Sequence, residues 1–151
     1  PKPKETAVAS QAPMAKPVVS SAPLDVKGVF SAPLKTVMKV EPQKRGGVYL
    51  SFKGSQPITA TRDGRVMYVG DLSTYGNVVM IEHGEETRSV ILGPFAPKVA
   101  VGATVKLGDL IGQTPTRPGE GKIYFEVRKK NTVQNTVKLI DEKSMSIKIK
   151  G

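Results

Sequence analysis

The stretch GKIYFEVRKK, residues 121–130, decides the fold class of this chain. Its side chains alternate between polar and apolar from residue 122 to residue 128, and a period of two indicates a β-strand with one buried face. The two sides of that strand are apolar (Ile123, Phe125, Val127) and polar (Lys122, Tyr124, Glu126, Arg128). The polar side combines two cations, a phenol and a carboxylate, so it is ordinary solvent-facing surface, a disabled active site or a place where a partner docks.

Short alternating segments of the same kind fill most of the chain and are separated by Gly, Pro and Asp turns. They predict strands at 35–41, 47–52, 56–62, 64–70, 77–83, 87–93 and 104–114, the last in two pieces. Only TVQNTVKLIDEKS, residues 132–144, is a candidate helix, and the tail SMSIKIK, residues 144–150, alternates again. This pattern predicts an all-β domain, built as a sandwich or a folded antiparallel sheet.

The first residues of the chain have a different composition. Seven of the twelve prolines lie in residues 1–42, and PKPKETAVASQAPMAKPVVSSAP has no aromatic residue. Such a segment buries too little apolar surface to offset the entropy of ordering it. We therefore predict a Pro/Ala/Lys-rich linker at residues 1–23 and a β domain at residues 24–151. Because the chain opens on Pro1 without a signal-peptide pattern, we expect it to be a piece of a longer protein.

Composition excludes some classes of function and favours others. The chain has no cysteine, which rules out disulfides and Zn–Cys sites, and no apolar run approaches the roughly 20 residues of a membrane span. The net charge of +10 favours anionic partners. Without tryptophan, with 5% aromatic residues and without a nucleic-acid-binding motif, nucleic acid is not the expected partner.

Several motifs in order resemble the LytM (lysostaphin-type) domain over about residues 45–140. They are ITATRDGRV (58–66), YGN (75–77) followed by HG (83–84), VGATVKLGDLIG (101–112) and YFEVR (124–128). Each motif alone is weak, but their order and spacing together are specific. The resemblance implies a folded antiparallel β-sheet with a groove, and active LytM domains are zinc peptidases that cut peptide cross-bridges of bacterial peptidoglycan.

The positions that the resemblance assigns to zinc and to catalysis hold other residues here. Arg45 and Tyr49 stand in place of the first His and Asp ligands, Gly93 in place of a catalytic His, and Lys122 and Tyr124 in place of the late HxH pair. Zinc needs His nitrogen or carboxylate oxygen ligands, and a cation cannot ligate it. We therefore expect no metal, no cofactor and no peptidase activity.

The single histidine of the chain does not change that expectation. His83 falls in the HG turn, where the family places no ligand, so we interpret it as a structural residue at a turn or strand end.

The resemblance extends to degenerate LytM domains of the EnvC type, which also carry Tyr-Phe-Glu in place of His-Phe-Glu. It implies binding and activation of a cell-wall N-acetylmuramoyl-L-alanine amidase through the former active-site groove, in a periplasmic or other extracytoplasmic location. An aromatic phenol and an Arg fork suit an acidic amphipathic helix. The residues expected to line this groove are Tyr124, Arg128, Lys122, Glu126, Tyr49 and Arg45.

Two alternatives stay open at this point. The domain is a non-catalytic anchor if its positive charge binds peptidoglycan or another anionic envelope polymer. It is a biotinyl or lipoyl carrier if Lys39, in the sequence VMKV at 37–40, is an acceptor in a hairpin turn, although the gap between Lys39 and Ile58 is too long for that fold.

Overall fold

The computed structural model describes residues 30–116 and 119–147. The expected linker at residues 1–23 lies outside these ranges, and the expected domain 24–151 stays a prediction. The strands are β1 (Phe30–Ser31), β2 (Thr36–Val37), β3 (Lys39–Pro42), β4 (Val48–Lys53), β5 (Pro57–Thr59), β6 (Gly64–Asp71), β7 (Asn77–Gly84), β8 (Thr87–Gly93), β9 (Ala96–Pro97), β10 (Thr104–Val105), β11 (Leu110–Gln113), β12 (Glu120–Lys129), β13 (Thr132–Val133), β14 (Ile140–Asp141) and β15 (Ser146–Ile147). One short helix, α1 (Thr136–Leu139), and two 3-10 turns, Ser73–Tyr75 and Glu142–Ser144, complete the described elements.

The main sheet is antiparallel and has the strand order β10-β6-β7-β8-β12-β4-β3, with β13 also pairing to β12. Strand β12, which contains the alternating stretch, is the longest strand and lies between β8 and β4. One face of this antiparallel sheet packs on the core and the other does not, which explains why one side of β12 is uniformly apolar. The all-β, antiparallel prediction is confirmed.

The core lies on one face of the main sheet. Ile123, Phe125 and Val127 are fully buried there, as the alternation predicted. The same cluster contains Ile58 of β5 and Ile111 of β11, which belong to a three-stranded sheet of order β5-β11-β9. The two sheets therefore share one core, and the opposite face of the main sheet, here called the open face, carries the polar side of β12.

Most strand predictions are confirmed within one or two residues, and the differences have local causes. The segment 35–41 is divided into β2 and β3 at Met38. The backbone N–H of Met38 donates a hydrogen bond to the carbonyl of Ser51. The predicted helix at 132–144 is limited to Thr136–Leu139. It ends because Ile140 adopts extended backbone and pairs with Phe30.

Two parallel pairings join the beginning and the end of the described chain. Strand β1 pairs with β14 through Phe30 and Ile140, and β15 pairs with β2 through Ile147 and Val37. In each case the partners are more than 100 residues apart, so no local pattern in the sequence indicates them.

His83 lies near the end of β7 and connects three segments, which agrees with its interpretation as a structural residue. Its Nδ1 lies 2.7 Å from the carbonyl of Asp63, and its Nε2 lies 2.8 Å from Oγ of Ser89. Because a carbonyl only accepts, Nδ1 carries the proton and Nε2 accepts from the hydroxyl. The ring also meets Phe30 edge-on, with centroids 5.4 Å apart. Burial lowers the pKa of His83 to about 4, and nearby Arg62 adds to this shift.

Candidate functional site

Three residues of the polar side of β12 are bonded to one another. Glu126 is 5% exposed although it lies on the open face. Its Oε1 accepts a hydrogen bond of 2.6 Å from the phenol of Tyr124, and its Oε2 accepts one from Nε of Arg128. Side chains two residues apart on a strand share a face, so the alternation of YFEVR places these three groups in a row. One oxygen of Glu126 is thus bonded to Tyr124 and the other to Arg128. The carboxylate lies between these two side chains and holds both in position.

The ring of Tyr124 lies over the start of β4. A Cβ added to Gly47 would be 2.1 Å from the phenol oxygen, so the absence of a side chain at Gly47 makes room for the ring. Tyr49, directly opposite Tyr124 in the ladder, packs against it at 5.2 Å between centroids. Burial first, and then the hydrogen bond to Glu126, raise the pKa of the Tyr124 phenol above its usual range. This phenol is therefore a neutral hydrogen-bonding group at every physiological pH.

A second charged group lies beside the tyrosine pair, on the β3 side. Nζ of Lys122 is 3.0 Å from Glu41 and 5.6 Å from the centre of the Tyr49 ring. Lys39 pairs with the other oxygen of Glu41 at 3.3 Å. The ion pair with Lys122, and then the one with Lys39, hold the pKa of Glu41 below its usual value. These contacts orient Lys122 and leave half of its side chain exposed.

The structure brings five of the six predicted groove residues together on adjacent strands β4 and β12 (Tyr49, Lys122, Tyr124, Glu126, Arg128). The sixth, Arg45, lies exposed in the turn before β4 and makes no ion pair or side-chain hydrogen bond within residues 30–116 and 119–147. Glu126 is buried between its two neighbours rather than presented to solvent, which sequence alternation alone did not indicate.

The positions expected to have lost zinc ligands offer no metal site in the described part of the chain. No group of three or more His, Cys, Asp or Glu side chains there is arranged to hold a metal ion. Gly93 ends β8 on the core side, where an added Cβ would lie 2.9 Å from Cγ2 of Ile123. A histidine at this position would overlap the core, given this backbone.

Sequence reasoning missed three residues that shape the candidate site: Glu41, Gly47 and Arg88. Glu41 and Gly47 contact side chains that belong to other strands. The pairing of those strands cannot be predicted from the sequence of one strand alone. Arg88 lies directly opposite Arg128 in the ladder of β8 with β12. The strand period of two places Arg88 on the same face as Val90 and Leu92, but TRSVILG does not alternate in polarity, so the sequence of β8 alone did not single out Arg88.

Apolar side chains continue across the open face beyond the tyrosine pair. We call the four residues on β7 and β8 the apolar band: Val78, Met80, Val90 and Leu92. Val78 pairs with Leu92 and Met80 with Val90, and Leu92 pairs in turn with Tyr124.

A separate cleft of about 570 Å³ lies beside Lys122. It is lined by that lysine and by Ser73, Thr74, Tyr75, Gly76, Pro94, Glu120 and Gly121.

Comparison with known proteins shows the family of this domain. The sequence pattern of Peptidase family M23 matches residues 43–136, more than half of the chain. The chain belongs to peptidase family M23. The match begins before the Arg45 turn and ends at α1, so it contains β4, β7, β8 and β12 of this M23 domain, while Glu41 lies just before it.

Curated relatives of the M23 domain include two named murein hydrolase activators of Escherichia coli. EnvC is 31% identical over 91 residues, which are 59% of this chain and 22% of EnvC. NlpD is 31% identical over 101 residues, which are 64% of this chain and 26% of NlpD. The M23 domain thus spans only about a quarter or less of the length of these relatives.

Solved structures share the fold. Helicobacter pylori Csd3 superposes with a TM-score of 0.63 at 26% identity, over 76% of this chain and 35% of Csd3. A zinc-containing peptidase of Vibrio cholerae superposes with a TM-score of 0.60 at 22% identity, over 74% of this chain and 40% of the peptidase. Among the described residues, no helix has the length and apolar character needed to cross a bilayer.

Proposed function

We propose that this M23 domain is a non-catalytic activator that binds a cell-wall N-acetylmuramoyl-L-alanine amidase through the strip formed by β4 and β12, and that it acts in the bacterial envelope outside the cytoplasm. Two relatives are named murein hydrolase activators, which supports this role. The process served is cell-wall remodelling or cell separation. The docking residues are Tyr124 and Arg128, with Tyr49 and Lys122 beside them.

The observation that carries the proposal is the shared anchoring of Tyr124 and Arg128 on buried Glu126. Long side chains lose rotamer freedom on binding, and this loss weakens association. Here the carboxylate already holds both groups, so little freedom is left to lose. Tyr and Arg are also the residue types that most often dominate the energy of protein interfaces. A fixed Tyr–Arg pair beside apolar side chains is therefore well suited to hold a protein partner.

The non-catalytic part of the proposal rests on the residue types at the former zinc positions. Arg45 and Lys122 are cations, and Tyr49 and Tyr124 are phenols. Neither type offers a neutral imidazole or a carboxylate to zinc. The phenol of Tyr124 is also committed to Glu126 and has a raised pKa, which disfavours a metal-bound phenolate.

The direct test is binding and activation of an amidase from the bacterium that encodes this chain. Tyr124→Ala and Arg128→Ala are each expected to weaken binding by about 1–3 kcal/mol in calorimetric titration. They should also reduce amidase-dependent release of peptidoglycan fragments from sacculi. Lys106→Gln, on an exposed turn between β10 and β11, removes one positive charge elsewhere and is the matched control. Unchanged binding by both alanine variants would contradict the assignment of the strip.

The charge of the chain supports a second candidate function, a wall anchor without an amidase. A net charge of +10 favours binding to carboxylates of stem peptides or to anionic polymers. In that case the domain sediments with sacculi alone and is released by salt, because salt screens exposed charges. The carrier alternative has no support in the geometry, since Lys39 is the first residue of β3, paired with Ser51, and does not lie in a hairpin turn.

A further inference from the structure

Two tight turns flank β10 at the edge of the main sheet, at residues 100–103 and 106–109. In each turn the backbone N–H of the fourth residue donates to the carbonyl of the first, at 3.1 Å and 2.8 Å respectively. The third residue of each turn is a glycine with positive φ, 96° and 92°. This is the pattern of a type II turn, which requires positive φ at its third position. Val101 and Leu107 occupy the second position of the two turns, and both side chains are exposed.

The turns do not need apolar side chains at these positions. Proline is common at the second position of a type II turn, and turns are generally built from Gly, Pro, Asn, Asp and Ser. Here Val101 is 61% exposed and Leu107 52%, and Leu110, which directly follows the second turn, is 46% exposed. Single exposed apolar residues are normal on protein surfaces, whereas a group of them marks a contact surface. We call Val101, Leu107 and Leu110 the edge patch.

The geometry of the second turn is fixed by two carboxylates. Oδ1 of Asp63 accepts a hydrogen bond of 2.8 Å from the N–H of Leu107. Oδ2 of Asp109 accepts one of 2.9 Å from the N–H of Lys106. Both carboxylates are thus bonded to the backbone of the turn, and these bonds hold Leu107 in its exposed position.

Cations lie next to the edge patch. Lys106 precedes Leu107 in the second turn, and the N–H of Lys98 donates to the carbonyl of Ile111, the residue after Leu110. Both lysines are exposed. A lysine side chain keeps its ammonium group at a charged or wet surface while its stem lies along apolar groups. Projecting apolar side chains with adjacent lysines are typical of proteins that bind the surface of an anionic bilayer.

We propose that the edge patch binds the surface of an anionic phospholipid bilayer. Val101, Leu107 and Leu110 enter the boundary between headgroups and acyl chains, and Lys98 and Lys106 meet the lipid phosphates. The net charge of +10 adds long-range attraction to such a surface. This inference does not depend on the proposed binding of an amidase.

The spacing of the two turns favours a bilayer over a protein partner. Val101 and Leu107 are six residues apart in the chain, and therefore at most about 22 Å from each other. A protein partner would have to offer separate apolar pockets at this spacing. A bilayer takes up separate projecting side chains at its interface without preformed pockets.

Binding at this edge leaves the strip on β4 and β12 accessible. In the main sheet, β10 and β12 are separated by β6, β7 and β8. Four steps of about 5 Å place roughly 20 Å between them. A domain that lies on a bilayer by its edge patch therefore still presents the strip to solvent.

Tryptophan fluorescence gives a direct test, because the chain has no tryptophan of its own. In the full chain, Leu107→Trp places the only indole in the edge patch, and Leu72→Trp places it at an exposed leucine outside the patch. With vesicles of phosphatidylethanolamine and phosphatidylglycerol, the emission of Leu107→Trp is expected to shift to shorter wavelength and to be quenched by brominated acyl chains. Leu72→Trp should show neither change. Vesicles of phosphatidylcholine should bind the Leu107→Trp protein roughly tenfold more weakly, because they are not anionic.

Flotation with the same anionic vesicles tests the patch without an added indole. A double variant, Leu107→Ser with Leu110→Ser, should bind at least about tenfold more weakly than the parent, since it removes apolar surface from the contact. Its melting temperature should be unchanged, because both side chains are exposed. Leu72→Ser is the matched control and should bind as the parent does.

Three results would overturn the inference. The first is no binding of the parent to anionic vesicles. The second is equal binding by the parent and the double variant, which would leave charge alone as the cause. The third is a parent that is dimeric in analytical ultracentrifugation and a double variant that is monomeric, which would assign the patch to a second copy of the chain. Amidase activation measured without lipid should be the same in the double variant and the parent, so failure of this inference is distinguishable from failure of the proposed function.

Discussion

Acidification is expected to destabilise this domain through His83. The folded state holds the ring neutral, since Nδ1 donates to the carbonyl of Asp63 and Nε2 accepts from Ser89. Burial lowers its pKa from 6.5 to about 4. In the unfolded chain the ring takes up a proton near pH 6.5, so the unfolded state binds more protons between pH 6.5 and 4. The stability that this neutral ring contributes is present above pH 6.5 and is lost as pH falls to about 4.

The magnitude follows from the same two pKa values. A pKa difference of one corresponds to about 1.4 kcal/mol, so a change from 6.5 to about 4 gives an upper limit of about 3.4 kcal/mol. Because His83 as a residue is only partly buried, solvent screening reduces this value, and a loss of about 2–3 kcal/mol is expected. Since small domains have total stabilities of about 5–15 kcal/mol, the change is easily measured.

Urea unfolding at a series of pH values between 7.5 and 4.5, followed by circular dichroism, measures this loss. The matched variant is His83→Gln, which has no titrating ring but keeps a polar side chain. Carboxylates titrate in both proteins, so the difference between the two curves isolates His83. If parent and variant lose stability in parallel over this range, the ring is not held neutral and the reasoning fails.

Further predictions concern the core, the space that Gly47 leaves for the Tyr124 ring, and the phenol of Tyr124. Phe125→Ala should lower the free energy of unfolding by about 3–5 kcal/mol in urea denaturation by leaving a cavity in the core, and a loss below 1 kcal/mol would contradict its burial. Gly47→Ala should displace the Tyr124 ring and weaken amidase binding, with little loss of melting temperature because the clash is with a side chain at the surface. Unchanged binding would contradict the role of Gly47 in making room for the Tyr124 ring. In ultraviolet pH titration, one of the four tyrosines should resist ionisation in the parent and titrate at lower pH in Glu126→Gln, since the variant loses the carboxylate charge. The absorbance change of this resistant tyrosine should be missing in Tyr124→Phe, and its persistence there would contradict the assignment to Tyr124.

The sequence was sufficient for features that depend on local periodicity. Alternation on β12 correctly predicted Ile123, Phe125 and Val127 as buried, and similar alternation located β4, β6, β7 and β8. These strands each have one face on a shared core, and a buried face imposes a period of two that remains visible in the residues.

Features that depend on register or on distant partners were not predictable in this way. The burial of Glu126 depends on its neighbours on both sides of the same strand and on the strands that enclose it. The Arg88–Arg128 pair requires the ladder of β8 with β12, and the short helix at Thr136 required knowledge that Ile140 pairs with Phe30. A single sequence contains no signal for such tertiary pairings, because their partners are set by the closure of the whole sheet.

The two parallel pairings at the ends of the described chain have a mechanical consequence. Tension applied before Phe30 and after Ile147 pulls β1 at its first residue and β15 at its last. Because β1 is parallel to its partner β14, such tension acts along the pair, and its hydrogen bonds have to break together rather than one after another. Strands β15 and β2 are paired in the same parallel way. The two parallel pairs thus resist the applied force before it reaches the strip formed by β4 and β12. The geometry of the strip should therefore persist while the domain is stretched between two attachment points.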